Sequence, residues 1–492
     1  MHSSLHDVLI TPAEMAAIDL AAAQSGIDSF LLMRSAGLAV AAAVLRLFPQ
    51  AQRYVVLCGP GNNGGDGYVA ASALAECGAN VAVFAFGDPA AALSGDADRA
   101  RQLWDGAIDP LASLVPHLGD VVVDALFGAG LSRDLPEQVV QVIERINAKG
   151  VPVIAVDLPS GVDGRTGQIR GAAFAASHTI TFMARKPGHL LLPGRSLSGA
   201  LDVVDIGIPA RIVQAQGGGW RLNTPALWSD QASRLDASTH KFRRGHLVVF
   251  SGGAQATGAA RLSAAAGLAA GAGLVTVASP KSALDINAAQ LTAVMLREID
   301  DRQDLEHWLR DTRLGAFVLG PGFGVGDRAC DFALQLCDRA LVLDADGITS
   351  FQERRSELFE RLAVAAGRVV MTPHEGEFAR LFPEIARDEK LSKIEKAQAA
   401  ARISHATIVY KGADTVIAGA DGKVAVNANA PPSLATAGSG DVLAGIVGAH
   451  LAQGMPAFEA AAAGVWRHGA AGARAGPGLT AETLVTSIPP LG

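Results

Sequence analysis

The chain is predicted to fold as two α/β domains, each a mostly parallel sheet covered by helices on both faces. Three observations carry this. Short apolar runs alternate with helix-like segments along nearly the whole length. The alternation breaks once, between about 213 and 245, where Gly217-Gly218-Gly219, Asn223-Thr224-Pro225 and the polar stretch Ser229–Arg244 read as a linker. Composition agrees: 492 residues suffice for two or three domains, 49% are hydrophobic, and 55 glycines with only 5% aromatics favour close helix–sheet packing and many tight turns. The expected division is a first domain over 1–215, a linker over 216–240 and a second domain over 241–492.

Residues 12–46 read as helices, with Thr11-Pro12-Ala13-Glu14 as the start. Strands are expected in the first domain at Tyr54–Cys58, Val81–Phe86, Val121–Asp124, Val153–Asp157, Thr179–Phe182 and Leu201–Ile206. The second series is Leu247–Phe250, Leu274–Ala278, Phe317–Gly320, Leu341–Asp344, Val369–Thr372, Thr407–Tyr410 and Thr415–Ala418.

Several function classes are disfavoured. A formal net charge of −7 argues against a nucleic-acid-binding surface. Cys58, Cys77, Cys330 and Cys337 show no CxxC spacing, so neither a zinc site nor a disulfide framework is indicated, and a reducing cytoplasm fits. The start, Met1-His2-Ser3-Ser4-Leu5-His6-Asp7, lacks a basic lead and an apolar core. The Ala-rich runs at 36–44 and 264–272 read as too short or too Gly-interrupted to span a bilayer. No membrane partner is expected.

The strongest local signal is Ala437-Gly438-Ser439-Gly440-Asp441 running into the apolar Val442-Leu443-Ala444-Gly445. Unpaired backbone N–H groups at a helix start favour an anion, and glycines let it approach closely. An acid there would repel a second negative charge, so Asp441 reads as a base that meets a substrate hydroxyl beside the phosphate. Elsewhere in this half, Gly320-Pro321-Gly322-Phe323-Gly324 gives backbone access to a ligand, and Lys411 offers a point charge against a nucleotide. Asp344, Asp346 and Glu377 have the chemistry to orient water or Mg²⁺ near phosphate.

In the first half, strand Tyr54–Cys58 ends in Gly59-Pro60-Gly61-Asn62-Asn63-Gly64-Gly65-Asp66-Gly67, a nest of N–H donors outside a strand's carboxyl end. Its spacing is not GxGxxG, which disfavours an ordinary dinucleotide turn. Asp124 and Asp157 close two further strands, and Asn63, Asp124 and Ser160 offer oxygen ligands to one hard cation.

The order GNNGGDG, VVDALFGxG, DLPSG resembles the NAD(P)H-hydrate epimerase family, whose first domain is Rossmann-like and three-layered. The resemblance implies interconversion of the R and S hydrates of NADH and NADPH. By position it implies K⁺ at Asn63, Asp124 and Ser160. It places the hydrate on Asn62, Asn63, Gly64, Gly65 and Asp66, on Gly128, Ala129, Gly130, Leu131, Ser132, Arg133 and Asp134, and on Asp157. Asp157 is the acid/base candidate. Lys186, in the turn Lys186-Pro187-Gly188, is left outside the catalytic set.

The second half resembles the ribokinase-like NAD(P)H-hydrate dehydratases. His240-Lys241, GAGLVTVA, LGPGFG, LDADG, TPHxGE, KGADT and AGSGDVLAG stand in the family's order. The resemblance implies nucleotide-driven dehydration of the S hydrate, with ADP as co-substrate and Mg²⁺. Lys411, Gly412, Ala413, Asp414 and Thr415, with Gly438, Ser439 and Gly440, would hold the nucleotide. Ala259, Gly322, His374 and Asp441 would meet the hydrate. Phe242-Arg243-Arg244, Glu375, Ala437 and Asn429–Ser433 depart from the family's pattern.

The expectation is a bifunctional metabolite-repair enzyme acting as a homo-oligomer on NADH and NADPH hydrates with ADP or ATP. The rival readings are a vitamin-precursor kinase, which leaves the first domain and TPHxGE without a purpose, and a nucleotide-sensing scaffold, against which intact Asp157 and Asp441 argue.

Overall fold

A computed structural model describes residues 7–89, 91–232, 244–365 and 367–491. His240, Lys241, Phe242 and Arg243 lie outside the described residues. The chain forms two compact units, Met1–Trp220 and Arg221–Gly492.

The first unit carries seven strands: β1 (Arg53–Cys58), β2 (Val81–Ala85), β3 (Ile108–Pro110), β4 (Asp120–Ala125), β5 (Val153–Val156), β6 (His178–Phe182) and β7 (Ala200–Val204). Their order is β3-β2-β1-β4-β5-β6-β7, and every neighbouring pair is parallel. Successive side chains point to opposite faces. Tyr54, Val56 and Cys58 of β1 therefore join one core and Val55 and Leu57 another. Both faces are covered, which is why the strands read as continuous apolar runs rather than alternating ones. β3 was not expected, because its Ile-Asp-Pro sequence has a single apolar residue.

The Ala-rich run at 36–44 lies inside a 19-residue helix, Ser29–Leu47, capped by Asp28 accepting from Phe30 N at 3.0 Å. By length and composition alone this helix is apolar enough to cross a membrane, contrary to the expectation for the shorter run. Its Met33, Ala36, Val40 and Val44 are buried in the core beneath Tyr68, Val69 and Leu74 of helix Asn62–Glu76. A Cβ on Gly37 would come within 2.5 Å of Val69, so glycine sets the close approach of the two helices.

The second unit holds β8 (Trp220–Leu222), β9 (His246–Phe250), β10 (Leu274–Ser279), β11 (Met295–Glu298), β12 (Ala316–Leu319), β13 (Ala340–Leu343), β14 (Val369–Met371), β15 (Thr407–Tyr410), β16 (Val416–Ala418) and β17 (Val424–Val426). The sheet order is β11-β10-β9-β12-β13-β14-β15-β16-β17-β8. Pairing is parallel from β11 to β15 and antiparallel through β16 and β17. β8, β11 and β17 were not expected.

Much of the expected linker is built structure. β8 edges the second sheet, and Asn223 is buried, donating from its backbone N to Val426 O and from Nδ2 to Ala462 O, both at 2.8 Å. Trp228 is also buried, 5.9 Å from the Trp466 ring. The second unit begins near Arg221, not at 241.

Candidate active sites

In the first unit the chain runs from β1 outward through β2 to the edge strand β3 and then returns to β4 on the other side of β1. That reversal opens a crevice at the strands' carboxyl ends. The turn after β1 lies against the turn after β4: a Cβ on Gly59 would stand 1.9 Å from Leu126 O, and one on Gly64 would stand 1.9 Å from Gly59 O. These glycines are required by contact rather than by an unusual φ.

A cavity of about 710 Å³ opens there, lined by Asn62, Asn63 and Asp66, by the loop from Gly128 to Arg133, and by Asp157. Gly64 and Gly65 lie buried beneath the turn, with Gly65 packed against Met33, and Asp134 is exposed outside the lining. The cavity also takes Asp19 from helix Pro12–Gln24 and Lys186 from the turn after β6. Neither Asp19 nor Lys186 is among the site residues expected from the sequence.

Lys186 Nζ stands 2.7 Å from Asp157 Oδ1 and is almost fully buried. It also donates to Thr181 Oγ1 at 2.9 Å, while Thr181 donates to Asp157 Oδ1 at 2.9 Å. Ala129 N donates to Asp157 Oδ2 at 2.8 Å. Burial would raise the Asp157 carboxyl, but the Lys186 charge and these hydrogen bonds outweigh it and hold the group at about 2. The Asp157 backbone is left-handed, at φ 67°, with its carbonyl bonded to His189 Nε2 at 2.7 Å. A non-glycine residue keeps that conformation only when its surroundings over-determine it. Asp66 and Asp19 have no such cation to themselves. Burial, with the charge of Asp157, pushes Asp66 well above the carboxylate range, and burial takes Asp19 to about 6.

Asp124 and Ser160 are brought together. Ser160 Oγ donates to Asp124 Oδ1 at 2.6 Å and Ser160 N to Oδ2 at 2.7 Å, and Phe127 O lies 3.1 Å from Ser160 Oγ. Burial lifts the Asp124 carboxyl to about 6 against these bonds. Asn63, with its amide turned to satisfy both partners, donates to Val156 O at 3.2 Å and accepts from Gly128 N at 3.3 Å. As ligands to a cation, the Asn63, Asp124 and Ser160 side chains offer oxygens only, with one formal charge among them.

In the second unit, Gly438 takes a left-handed φ of 81° and starts helix Ser439–Ala452, which puts Asp441 in the first turn. Ser263 Oγ donates to Asp441 O at 2.7 Å, and Ser439 Oγ meets the buried His468 Nε2 at 3.0 Å. Burial lifts the Asp441 carboxyl to about 6; Asp344 and Asp346 push the same way and Lys411 opposes them. A carboxyl raised in this way has the chemistry of a general base near neutral pH.

Lys411 is not a free point charge. Its Nζ stands 2.8 Å from Asp344 Oδ1 and 3.8 Å from Glu377 Oε2, and a Cβ on Gly440 would come 3.7 Å from it. Thr372 Oγ1 donates to the same Asp344 oxygen at 2.7 Å. Asp346 accepts from Gly324 N at 2.9 Å. Among the described residues no three His, Cys, Asp or Glu side chains converge to hold a metal, so Asp344, Asp346 and Glu377 do not form a protein-built Mg²⁺ cage.

Gly322 (φ 63°) faces Ala259, whose Cβ would lie 3.3 Å from one added to the glycine. His374 caps helix Glu375–Leu381 through Nδ1, accepting from Gly376 N at 2.9 Å, and remains half exposed. In the KGADT turn, Gly412 N donates to Thr415 Oγ1 at 3.1 Å and Asp414 pairs with Lys393 at 2.5 Å. Ala413 lies between them. The departure at Glu375 has a partner, since Tyr410 OH donates to its Oε2 at 2.6 Å.

Comparison with known proteins bears on both halves. Residues 29–188 match the family model described as YjeF-related protein N-terminus, and residues 247–489 match the model for NAD(P)H-hydrate dehydratase. The bifunctional NAD(P)H-hydrate repair enzyme of Moorella thermoacetica is 38% identical over 94% of this chain and 92% of its own. That of Thermofilum pendens is 35% identical over 97% of this chain and 94% of its own. Among solved structures, the ADP/ATP-dependent NAD(P)H-hydrate dehydratase of Bacillus subtilis is 24% identical at a TM-score of 0.46, covering 55% of this chain and 96% of that one. With two α/β units, a cavity bearing Asp66, Asp157 and Lys186 at the switch point of the first and a glycine-framed acid at a helix start in the second, the chain belongs to the family of bifunctional NAD(P)H-hydrate repair enzymes.

Proposed function

We infer that this enzyme restores hydrated NADH and NADPH by two activities: epimerisation at C6 of the hydrated ring in the first unit, and nucleotide-dependent dehydration of the S epimer in the second. The observation that carries the dehydratase half is Asp441, a partly buried carboxyl in the first turn of helix Ser439–Ala452. Asp441 takes the proton of the C6 hydroxyl, that oxygen attacks the terminal phosphate of the nucleotide, and the amides from Gly438 to Gly440 stabilise the transferring phosphoryl group. Phosphate then leaves C6 with the electron pair of the C–O bond, and C5 loses a proton to solvent so that its C–H pair becomes the restored ring double bond. Gly322, Ala259 and His374 line the hydrate's side, and the turn from Lys411 to Thr415 with Ser439 lines the nucleotide's. Lys411, tied to Asp344, acts from beneath the phosphate turn. ADP is the proposed co-substrate. Mg²⁺, when present, enters with the phosphates, because such ions are commonly held by one or two carboxylates plus substrate.

In the first unit, Asn62, Asn63, Asp66 and the Gly128–Arg133 loop receive the hydrate. A carboxylate held at about 2 is a weak base, so the acid/base role expected of Asp157 passes to that of a fixed negative charge that orients the ring. Asp124, Ser160 and Asn63 would hold K⁺: Asp124 is a buried carboxyl with no Lys, Arg or His partner among the described residues, and neutral oxygens surround it. That ion would order the turns around the cavity. Four free cysteines fit a cytoplasmic location, and a homo-oligomer, checked by sedimentation, is the expected assembly.

The test is a mixture of the two NADH hydrate epimers with and without nucleotide, followed by absorbance of the reduced nicotinamide. Recovery that requires nucleotide supports the reading. No recovery with either ADP or ATP contradicts it.

A further inference from the structure

Four carboxyl groups, one ammonium and one guanidinium line the first-unit cavity. Asp66 enters from helix Asn62–Glu76, Asp19 from helix Pro12–Gln24, Asp157 from the end of β5, and Lys186 from the turn after β6. Asp96 and Arg133 also line it, but Asp96 is engaged by Ser29 and by Arg99 at 3.0 Å, and Arg133 sits exposed on the loop. Lys186 is committed to Asp157 at 2.7 Å. Asp66 is the more enclosed of the two remaining carboxyls, and Asp19 is the more open to solvent. Like charges crowded into one cavity cannot all remain ionised, and one of them keeps its proton.

We propose that Asp66 is the proton-transfer group of epimerisation, acting as a neutral carboxylic acid that serves the C6 hydroxyl and ring nitrogen N1 of the hydrate together. This rests on the reading of the first unit as the epimerase. The hydrate is a hemiaminal, with hydroxyl and N1 both bonded to C6. The carbonyl oxygen of the Asp66 carboxyl accepts the C6–OH proton while its hydroxyl gives a proton to N1. The C6–N1 bond breaks, its electron pair stays on nitrogen, and the O–H pair becomes the second bond of a C6 aldehyde. Rotation about C5–C6 turns the other face of the carbonyl to N1. The reverse transfer closes the ring with inverted configuration. Asp66 ends as it began, and no co-reactant is consumed. Burial and the negative charge of Asp157 keep the Asp66 proton in place, and Lys186, committed to Asp157, opposes them.

The experiment uses the full chain and measures epimerisation of the R hydrate above the spontaneous rate across pH, alongside dehydration of pure S hydrate. Asp66→Asn keeps shape and hydrogen-bonding capacity but cannot exchange a proton this way. Its epimerisation kcat should fall by about 10²- to 10⁴-fold, with KM little changed and S dehydration intact. In the wild type, kcat should decline with rising pH as Asp66 ionises, and Asp66→Asn should lose that limb. Asp19→Asn should cost less than about tenfold. An Asp66→Asn enzyme within a few-fold of wild type, or one surpassed in loss by Asp19→Asn, overturns the proposal. If the wild type itself does not accelerate epimerisation, it is the epimerase reading that fails.

Discussion

Lys411 Nζ lies 2.8 Å from Asp344 Oδ1, beneath the glycine turn that carries Asp441. Burial works against the ammonium, but Asp344 and Glu377 raise it above the usual lysine value, so this charge is permanent. It is the cation that opposes two neighbouring acids, Asp344 and Asp346, in their effect on Asp441.

That relationship predicts a pH effect. The base proposed at Asp441 works only when ionised, so dehydration should fall as pH drops through about 6. In Lys411→Met the restraint is gone and the carboxyl rises further. The acid limb of kcat should move up by roughly one pH unit. An unmoved limb would show that Lys411 does not tune the base.

Asp441→Asn is nearly isosteric and should fold normally. Nucleotide-dependent recovery of the S hydrate should fall by about 10²- to 10⁴-fold, while epimerisation continues. Stopped-flow assays of each reaction on the same preparation read both. An Asn variant within a few-fold of wild type sinks the assignment of the base.

Lys186→Met leaves the Asp157 carboxyl buried without its cation. Breaking such a pair destabilises by about 3–5 kcal/mol, read from denaturant unfolding of the first unit. Asp157 is held below its unfolded value, so the pairing stabilises the fold above about pH 4 and is lost as pH falls toward 2. The gap between wild type and variant should therefore narrow on acidification. A gap that is constant with pH would mean the ion pair is not its source.

Asp124→Ala should lower epimerisation and leave dehydration unchanged. Wild-type epimerisation should be faster in K⁺ than in a large inert cation, and the variant should not distinguish the two. Equal rates in all four conditions would leave the site without a cation.

The parts of the molecule legible in the sequence were those written locally. The apolar runs gave most strands, and the glycine turns after β1 and β4 marked the crevice because close backbone contact admits nothing else. What was not legible depends on distant partners. β8 is a three-residue strand whose sheet neighbour, β17, lies some 200 residues on, so Trp220–Leu222 read as linker. Lys186 looks like any surface lysine until β6 is placed beside β5, which sets it on Asp157. The position of that lysine one turn past a strand end was the available signal. Asp19 carries none, because only tertiary packing brings its helix over the cavity.

One polypeptide is expected to drain both hydrate epimers. The direct measurement is the extent and rate of NADH recovery from a racemic hydrate mixture, with ADP or ATP, by the intact chain and by a fragment starting at Arg221. That start keeps β8 from Arg221 on, the buried Asn223 and Trp228. The intact chain should recover all of the hydrate in one fast course. The fragment should recover the S share quickly and the remainder only at the spontaneous rate of epimerisation. Equal courses for the two, or no nucleotide-dependent recovery by either, would contradict the account.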